Sequence, residues 1–248
     1  MAIIKTKAEI AILREGGHIL AEAMQHLSTA VRPGVTTNDL DKMFVEFITA
    51  RGATASFLGY HGYAKSICTS INEEVVHGIP SDRMLQEGDI IGVDIGIRYK
   101  KFCTDMARTF AVGKISMPAQ HLIDVTRNSL DEAIPVLRAG NTIGDIGATI
   151  QQCVEAEKCS IVRVLVGHGV GQSVHEEPQV PNYGKRGKGR VLEVGMVLAV
   201  EPMVNIGSSK VEFDEDDGWT VRTADRSLSA HFEDTIAILE DGPEILTR

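Results

Sequence analysis

Residues 90–112 read IIGVDIGIRYKKFCTDMARTFAV, and this stretch decides the fold. Its first half alternates large apolar residues with small or polar ones, a period of two that is typical of a β-strand. Asp94 lies on the glycine-bearing face of that strand, and Asp105 lies among small residues on the next strand. A two-residue loop at Tyr99 and Lys100 would make the two aspartates direct cross-strand partners.

Direct partners in an antiparallel pair have Cβ atoms about 4.5–5.5 Å apart, and like charges at that distance repel each other. Asp94 and Asp105 therefore need a shared proton, a basic partner or a metal ion. The small residues around both aspartates leave room for an ion. Taken alone, the stretch fits equally well a plain hairpin whose two aspartates face the solvent.

The composition is that of an acidic chain of 248 residues, with 43% hydrophobic residues and a net charge of −9. No apolar run approaches the roughly 18 residues of a membrane span. The first residues lack the apolar segment of a signal peptide, so a cytoplasmic location without membrane contact is expected. No helix carries a basic stripe, which excludes sequence-specific binding of nucleic acid as the main task. The cysteines lack C-x-x-C spacing, so reduced thiols are expected.

Helix-start signals occur in two groups, and each group precedes a region of β texture. A capping box at Thr6 begins a first helix, and Thr36 or Thr37 caps a second. Pro118 begins a third helix and Thr142 caps a fourth. The order of two helices followed by strands therefore occurs twice, which indicates an internal duplication.

Three pairs of segments match at an offset of 106 or 107 positions: residues 32–40 with 138–146, residues 61–62 with 168–169, and residues 85–94 with 192–201. The last of these matches aligns Glu201 with Asp94, an acid with an acid. We expect an α+β fold in a single catalytic domain, residues 1–248. Its pseudo-symmetric halves, about 1–115 and 116–248, would each contribute antiparallel β-sheet covered by helices.

Five positions combine four carboxylates with one imidazole: Asp94, Asp105, His168, Glu201 and Glu233. Four carboxylates carry four negative charges, which two divalent cations would neutralise. An oxygen-rich set with one nitrogen suits Mn, Fe, Co or Zn in a two-metal site rather than a closed structural zinc site. Two ions about 3.5–4 Å apart lower the pKa of a bridging water, which is the chemistry of a hydrolase.

His168 lies in VGHGVG at residues 166–171, where the flanking glycines allow close approach of the backbone. A dinucleotide-binding loop would need G-x-G-x-x-G at the start of a helix, and this segment departs from that pattern. Glu201 ends an apolar run and Glu233 enters a predicted strand, so each is expected to be paired or bound to a ligand.

With these residues the chain resembles the pita-bread metallopeptidases and, within them, the type I methionine aminopeptidases in their short bacterial form. The resemblance runs from about Ile4 to Thr247. It rests on eight segments: VVHGIP (75–80), GVDIG (92–96), TDMARTF (104–110), GHGVG (167–171), HEEP (175–178), EPMVN (201–205), DGWTVRT (217–223) and SLSAHFEDT (227–235). It implies a pita-bread fold and a metal-dependent aminopeptidase that removes N-terminal methionine when the second residue is small.

The resemblance also implies a set of metal ligands. Asp105 and Glu233 would bridge two divalent ions, Asp94 would bind one ion, and His168 with Glu201 would bind the other. Co, Mn, Fe, Ni or Zn are the expected metals, and hydroxide held between them would attack the first peptide bond. A monovalent cation is further implied near three residues: Asn72, Glu74 and Ser229.

Catalysis would use His77, His175 and Glu201, again by resemblance. His77 would hold the scissile amide, His175 would donate a hydrogen bond to the substrate oxygen, and Glu201 would move the proton to the leaving amine. Aromatic and sulfur contacts suit the thioether of methionine. The implied substrate-binding residues are Tyr60, Tyr63, Cys68, His77, His175 and Trp219. Core packing is the alternative for the two tyrosines.

Two departures from the relatives affect pocket shape and partners. Val174 stands where related enzymes carry a bulkier aromatic residue, so a wider pocket is expected. Residues 210–217 are acidic, whereas bacterial relatives contact the ribosome through a basic loop. A transient ribosome contact would therefore use the basic residues 185–190, or it would be weak. The expected partners are otherwise peptides and nascent chains with N-terminal methionine, and a monomer is expected.

Two other functions share these residues. An Xaa-Pro aminopeptidase or prolidase would have the same metal ligands but usually has an additional N-terminal domain, whereas the first helix here begins at Thr6. A metal-free pita-bread binding protein would have lost ligands, and this chain keeps all five.

Overall fold

The computed structural model describes residues 3–248, and within that range it contains four α-helices and fifteen β-strands. The helices are α1 (Lys7–Ser28), α2 (Thr37–Thr49), α3 (Met117–Ala133) and α4 (Ile143–Ala156). The strands are β1 (Thr54–Ala55), β2 (Ile67–Ile71), β3 (Glu74–Val76), β4 (Ile90–Tyr99), β5 (Phe102–Ala111), β6 (Ser160–Ile161), β7 (Gly167–Gly169), β8 (Glu176–Val180), β9 (Val197–Val200), β10 (Met203–Asn205), β11 (Val211–Phe213), β12 (Val221–Thr223), β13 (Ser229–His231), β14 (Asp234–Leu239) and β15 (Gly242–Ile245). No helix in the described part of the chain has the length and apolar character needed to span a bilayer.

Two larger antiparallel sheets organise the fold. In one sheet β4 pairs with β1, β2 and β5, and in the other the strand order is β15-β14-β9-β7-β8. Two three-stranded sheets, β13-β10-β6 and β11-β12-β3, complete the β-structure of residues 3–248. This arrangement agrees with the predicted α+β class and its predominantly antiparallel sheets.

Local capping explains where the helices begin. Capping boxes at Thr6, Thr36 and Thr142 fix the starts of α1, α2 and α4, as predicted. The hydroxyl of Ser116 caps α3, so Pro118 occupies the first turn, where its missing N–H has no intrahelical partner to lose.

The strands β4 and β5 form the predicted hairpin, but the predicted register is wrong. Tyr99 pairs with Phe102, so the turn residues are Lys100 and Lys101. Both lysines have positive φ angles, 44° and 78°, the geometry of a type I′ turn. Such turns usually contain Asn or Gly, and neither residue occurs here to mark the position of the turn.

The corrected register changes how the two central aspartates are related. Asp94 pairs with Ala107, and Asp105 pairs with Gly96. The two carboxylates are therefore diagonal neighbours rather than direct partners. They still lie on the same face of the sheet. The observed register differs from the predicted one by two positions, and side chains alternate between the two faces with a period of two.

The two faces of β4 separate the core from the site. Its large apolar residues pack against α1 and α2 in one core: Ile91, Val93, Ile95 and Ile97. The opposite face carries Gly92, Asp94 and Gly96. A Cβ atom at Gly96 would collide with Ser56 and with the ring of Phe57, so only glycine admits that loop against the strand. A second core lies under α3 and α4 and includes Leu198 and Val200 of β9.

Candidate active site

One pocket brings together all the side chains that the sequence predicts for catalysis, substrate binding and metal binding. Its walls contain eleven of these residues: Tyr60, Tyr63, Cys68, His77, Asp94, Asp105, His168, His175, Glu201, Trp219 and Glu233. Phe57 lines the same pocket and is absent from the predicted set. The acidic residues come from both large sheets or from the ends of their strands, so the pocket lies where the two sheets meet.

A cluster of potential metal ligands occupies one end of the pocket. The ligand atoms of Asp105, His168 and Glu233 all lie within 4.8 Å of one another. Glu201 joins them, since its Oε1 is 3.4 Å from Nε2 of His168. Asp94 lines the same pocket on β4, beside the strand that carries Asp105.

Two buried carboxylate oxygens in this cluster lack a hydrogen-bond partner: Oδ1 of Asp105 and Oε1 of Glu233. Their residues are only 3% and 2% exposed. A buried carboxylate without a partner is costly, so these oxygens call for protons or cations. Several carboxylate oxygens with one imidazole nitrogen form a donor set that Mn, Fe, Co and Zn accept. The residues present therefore fit a divalent metal centre.

The electrostatics of the cluster favour proton uptake when no cation is bound. Burial raises the pKa of Asp94 to about 7 and the pKa of Glu201 to about 8. Burial, and then repulsion from neighbouring carboxylates, raises the pKa of Asp105 and of Glu233 well above the usual range. A divalent cation would displace these protons, so metal binding and protonation compete at this site.

The imidazole of His168 is neutral and oriented as a ligand should be. Burial lowers its pKa to about 3. Its Nδ1 lies 3.0 Å from the carbonyl oxygen of Gly169, which can only accept a hydrogen bond, so we assign the ring hydrogen to Nδ1. The lone pair on Nε2 then points toward Glu201 and Asp105. A backbone carbonyl that fixes the tautomer in this way is typical of metal-binding histidines.

His175 lies next to this cluster on the side of the substrate residues. Its Nδ1 is 2.7 Å from the hydroxyl oxygen of Tyr60, and its ring packs edge-on against His168 with 4.2 Å between centroids. Burial lowers the pKa of His175, so the ring is neutral near pH 7. If the Tyr60 hydroxyl donates to Nδ1, the ring hydrogen is on Nε2 and can be donated to a ligand.

Aromatic and sulfur side chains form the rest of the pocket wall. The rings of Tyr63 and Trp219 meet edge to face with 5.0 Å between their centroids. The ring centroid of His77 lies 6.5 Å from that of Trp219. The hydroxyl of Tyr63 donates to the carbonyl oxygen of Ile67 at 3.0 Å, which fixes its ring. Cys68 is buried and pairs with Asp94 across β2 and β4. This wall of aromatic and sulfur side chains thus adjoins the carboxylate cluster.

Two residues of the site are missing from the sequence prediction. His231 is 3% exposed, and its Nε2 lies 3.4 Å from Oε2 of Glu201. It precedes Glu233 by two positions, so strand periodicity could have marked it as a neighbour of the ligands. Phe57 lies in a loop, where no periodicity marks which side chains face inward.

Val174 lies in the interior rather than in the pocket wall. It is 3% exposed and belongs to a core cluster with Ile10 and Leu13. Phe57 packs against the same cluster and contributes its ring to the pocket. The structure therefore gives no support to the expectation that Val174 widens the pocket.

The side chains implied for a monovalent cation have other partners. Asn72 donates to Asp89 at 2.8 Å, and the hydroxyl of Ser229 contacts Asn205 at 2.8 Å. Glu74 is 3.0 Å from Arg83 and also pairs with Arg222. The monovalent-cation site near these residues stays a prediction.

Comparison with known proteins identifies relatives over the full chain. The family model for metallopeptidase family M24 matches residues 11–240. A protein of Clostridium perfringens named methionine aminopeptidase is 51% identical over 247 residues, covering 100% of this chain and 99% of the relative. Methionine aminopeptidase 1 of Bacillus subtilis is 48% identical, with 100% of both chains covered.

Solved structures separate two branches that share the fold. The crystal structure of methionine aminopeptidase from Rickettsia prowazekii superposes with a TM-score of 0.99 at 41% identity, covering 100% of both chains. An Xaa-Pro dipeptidase from Bacillus anthracis superposes with a TM-score of 0.78 at 25% identity, and only 62% of that longer chain is covered. The pita-bread fold is shared by both, whereas full-length similarity is confined to the first. The chain therefore belongs to metallopeptidase family M24 and, within it, to the methionine aminopeptidases.

Proposed function

We propose that this chain releases the N-terminal methionine from peptides and nascent proteins whose second residue is small. One observation carries the proposal: a cluster of buried carboxylates adjoins an aromatic and sulfur-lined wall inside a single pocket. The cluster suits activation of water, and the wall suits a thioether side chain. An Xaa-Pro peptidase has the weaker support, because its relatives are more distant.

Two divalent ions would be held by five side chains: Asp94, Asp105, His168, Glu201 and Glu233. When bound, the ions supply a water that loses its proton near neutral pH and a positive charge next to the substrate carbonyl. Co, Mn, Fe, Ni and Zn all accept a donor set of this kind. The free amine of the substrate would lie at this end of the pocket, which explains removal of a single terminal residue.

Glu201 is our choice for the group that moves the proton. Its carboxylate lies inside the cluster that would hold the ions, with Oε1 3.4 Å from Nε2 of His168. We infer that Glu201 accepts a proton from the attacking water and delivers it to the leaving amine nitrogen. Nε2 of His231 lies 3.4 Å from Oε2 of Glu201. This contact would hold the carboxylate so that Oε1 faces the metal-binding end of the pocket.

The two substrate-facing histidines have separate roles in this proposal. His175, with Tyr60 bonded at Nδ1, would donate from Nε2 to the carbonyl oxygen as negative charge develops on it. His77 would hold the nitrogen of the scissile amide. Tyr63, Cys68 and Trp219 would surround the methionine side chain.

Peptide hydrolysis by the chelated protein, with metal titrated back, tests the function. Met-Ala-Ser should release methionine only after addition of Mn²⁺, Fe²⁺ or Co²⁺, whereas Met-Leu-Ser and Ala-Pro-Ser should remain intact. Cleavage of Ala-Pro-Ser would assign the chain to the proline-directed branch. A folded sample that is inactive with every metal would contradict the proposal.

Ribosome contact, location and oligomeric state extend the proposal. We propose a cytoplasmic monomer that contacts the ribosome transiently through the basic residues 185–190. Residues 210–217 are acidic and would not take part in this contact. Reversing the charge of Lys185, Arg186 and Lys188 should reduce co-sedimentation with ribosomes. Unchanged co-sedimentation would eliminate this docking segment.

The division into two halves, about 1–115 and 116–248, is likewise proposed. Equivalent hydrogen bonds support it: the N–H of Gly34 donates to Leu85 at 2.9 Å, and the N–H of Gly140 donates to Leu192 at 3.0 Å. Because both halves supply metal ligands, we propose that they form one domain. A single cooperative unfolding transition would be the expected observation.

A further inference from the structure

Strand β5 meets the segment between β13 and β14 at a crossing that has very little backbone pairing. One isolated bridge joins them, in which the N–H of Glu233 donates to Ala107 at 2.9 Å and the N–H of Ala107 donates back at 3.3 Å. Two residues before and two residues after Ala107 on β5, the next pair of inter-strand backbone hydrogen bonds is absent. At each of these positions a threonine hydroxyl makes two hydrogen bonds instead. The two hydroxyls bind the backbone N–H and C=O groups of Asp105 and His231.

The first hydroxyl belongs to Thr235. Its Oγ1 accepts a hydrogen bond from the N–H of Asp105 at 2.9 Å and donates one to the carbonyl oxygen of Asp105 at 2.8 Å. Thr235 is 0% exposed and Asp105 is 3% exposed. Both backbone polar groups of Asp105 are therefore satisfied by one side chain from the strand that follows Glu233.

The second hydroxyl belongs to Thr109 and repeats the arrangement in the opposite direction. Its Oγ1 accepts from the N–H of His231 at 2.9 Å and donates to the carbonyl oxygen of His231 at 2.9 Å. His231 in turn contacts Glu201. Strand β5 therefore binds the backbone of β13 through Thr109, and β14 binds the backbone of β5 through Thr235. Ala107 and Glu233 are paired between these two contacts.

The backbone of Thr235 cannot do this task itself. Its N–H donates to the hydroxyl of Thr247 at 3.1 Å, and its carbonyl oxygen accepts from Leu246 at 2.9 Å. A hydroxyl group can donate and accept at one atom, so it can satisfy both the N–H and the C=O of a single residue. Valine has nearly the same shape and would leave both groups buried without partners.

We propose that Thr109 and Thr235 are positioning residues, which hold Asp105 and His231 in register with Glu233 and so set the affinity for the divalent ions. This inference rests on the proposed function, because Asp105 and Glu233 are the proposed bridging ligands. Removing a group that orients a metal ligand by hydrogen bonding typically lowers metal affinity or activity by about 10–100-fold.

Mn²⁺ binding to the chelated protein, measured by titration calorimetry, tests the proposal with Thr235→Val, Thr235→Ser and Thr109→Val. Thr235→Val should weaken Mn²⁺ binding by about tenfold or more, whereas Thr235→Ser, which keeps the hydroxyl, should stay close to the unmodified chain. With saturating Mn²⁺, Thr235→Val should lower kcat on Met-Ala-Ser more than it changes KM. Thr126→Val is the matched control, because Thr126 is 0% exposed and its hydroxyl donates to Leu122 inside α3.

Several results would overturn the proposal. Mn²⁺ affinity of Thr235→Val equal to that of the unmodified chain, or reduced no further than in Thr126→Val, would show that the hydroxyl only stabilises the fold. If Thr235→Val does not fold, Thr109→Val is judged by the same criterion. An unmodified chain that neither binds Mn²⁺ nor releases methionine would instead overturn the proposed function, and this proposal with it.

Discussion

Arg108 and Asp234 form an ion pair at 2.6 Å directly behind the proposed ligand Glu233. The carboxylate of Asp234 is 0% exposed and also accepts from Thr247 and Arg248. The guanidinium of Arg108 additionally donates to the carbonyl oxygen of Glu233. One buried carboxylate thus anchors the segment that carries Glu233 to the hairpin that carries Asp105.

Replacing Asp234 by Asn should destabilise the protein by about 3 kcal/mol, because two arginines lose a buried partner. Urea unfolding measures this free energy. Asp124→Asn is the control, since Asp124 pairs with Arg127 on an exposed helix surface and should change stability by less than about 1 kcal/mol. Equal effects of the two substitutions would contradict the role given to Asp234.

The stabilisation that metal provides should grow with pH. Carboxyl groups titrate near pH 4 in an unfolded chain, whereas burial raises the pKa of Asp94 to about 7 and of Glu201 to about 8 in the folded metal-free protein. The folded chain therefore binds these protons more tightly, and their stabilising effect is lost as the pH rises from about 4 to about 8. Cations compete with the same protons, so their affinity rises over this range.

Melting temperatures of the Mn²⁺-loaded and the chelated protein, compared at pH 6 and pH 8, check this expectation. The difference between the two forms should be larger at pH 8. In Glu201→Gln one titrating group is gone, so the pH dependence of the chelated form should be weaker. A metal-induced shift that is the same at both pH values would disprove the linkage.

Lys5 should support His175 from a distance. Its ammonium is 2.6 Å from Glu176, and both side chains are almost fully buried. Glu176 also accepts from the N–H of Ser173, so the pair fixes the turn that presents His175. Lys5→Met should lower kcat on Met-Ala-Ser and destabilise the fold, because it leaves the charge of Glu176 buried and unpaired.

The matched control for Lys5 is Lys7→Met, since Lys7 makes only an exposed ion pair with Glu240 at 3.8 Å. Adding Glu176→Gln to Lys5→Met removes the unpaired charge and should restore part of the lost stability. If the double variant is as unstable as the sum of the single variants, the two residues act independently.

Phe57 should determine how tightly methionine is selected. Its ring lines the pocket and packs against the core cluster that contains Val174. Phe57→Ala should lower kcat/KM for Met-Ala-Ser by about tenfold or more and should narrow the preference over Leu-Ala-Ser, because part of the wall is lost. Leu58→Ala, at the neighbouring exposed position, serves as the control and should leave both values unchanged.

Much of the fold was predictable from the sequence, because its signals are local. The capping boxes at Thr6 and Thr36 depend on residues three positions apart, and the alternation in β4 depends on neighbours. The hairpin register was not predictable in this way. Lys100 and Lys101 adopt positive φ angles without the residue types that usually indicate them.

Some residues of the site were also predictable from local sequence, and others were not. The acidic residues of the pocket stand out because a carboxylate in an apolar run is unusual wherever it occurs. Phe57 and the hydroxyl of Thr235 are ordinary residue types in ordinary local surroundings. Their importance arises from contacts with β4 and with Asp105, which are remote in sequence, and so only the three-dimensional arrangement reveals them.

The position of Glu233 has a consequence for biosynthesis. The first proposed ligand, Asp94, is on β4, whereas Glu233, the last of the five along the chain, lies between β13 and β14. Contacts between such distant segments form late, since the intervening chain must first be made and folded. The proposed ligand set can therefore assemble only after Glu233 has been translated. A nascent copy that ends before Glu233 holds only four of the five proposed ligands, and we expect it to bind divalent ions more weakly than the finished chain.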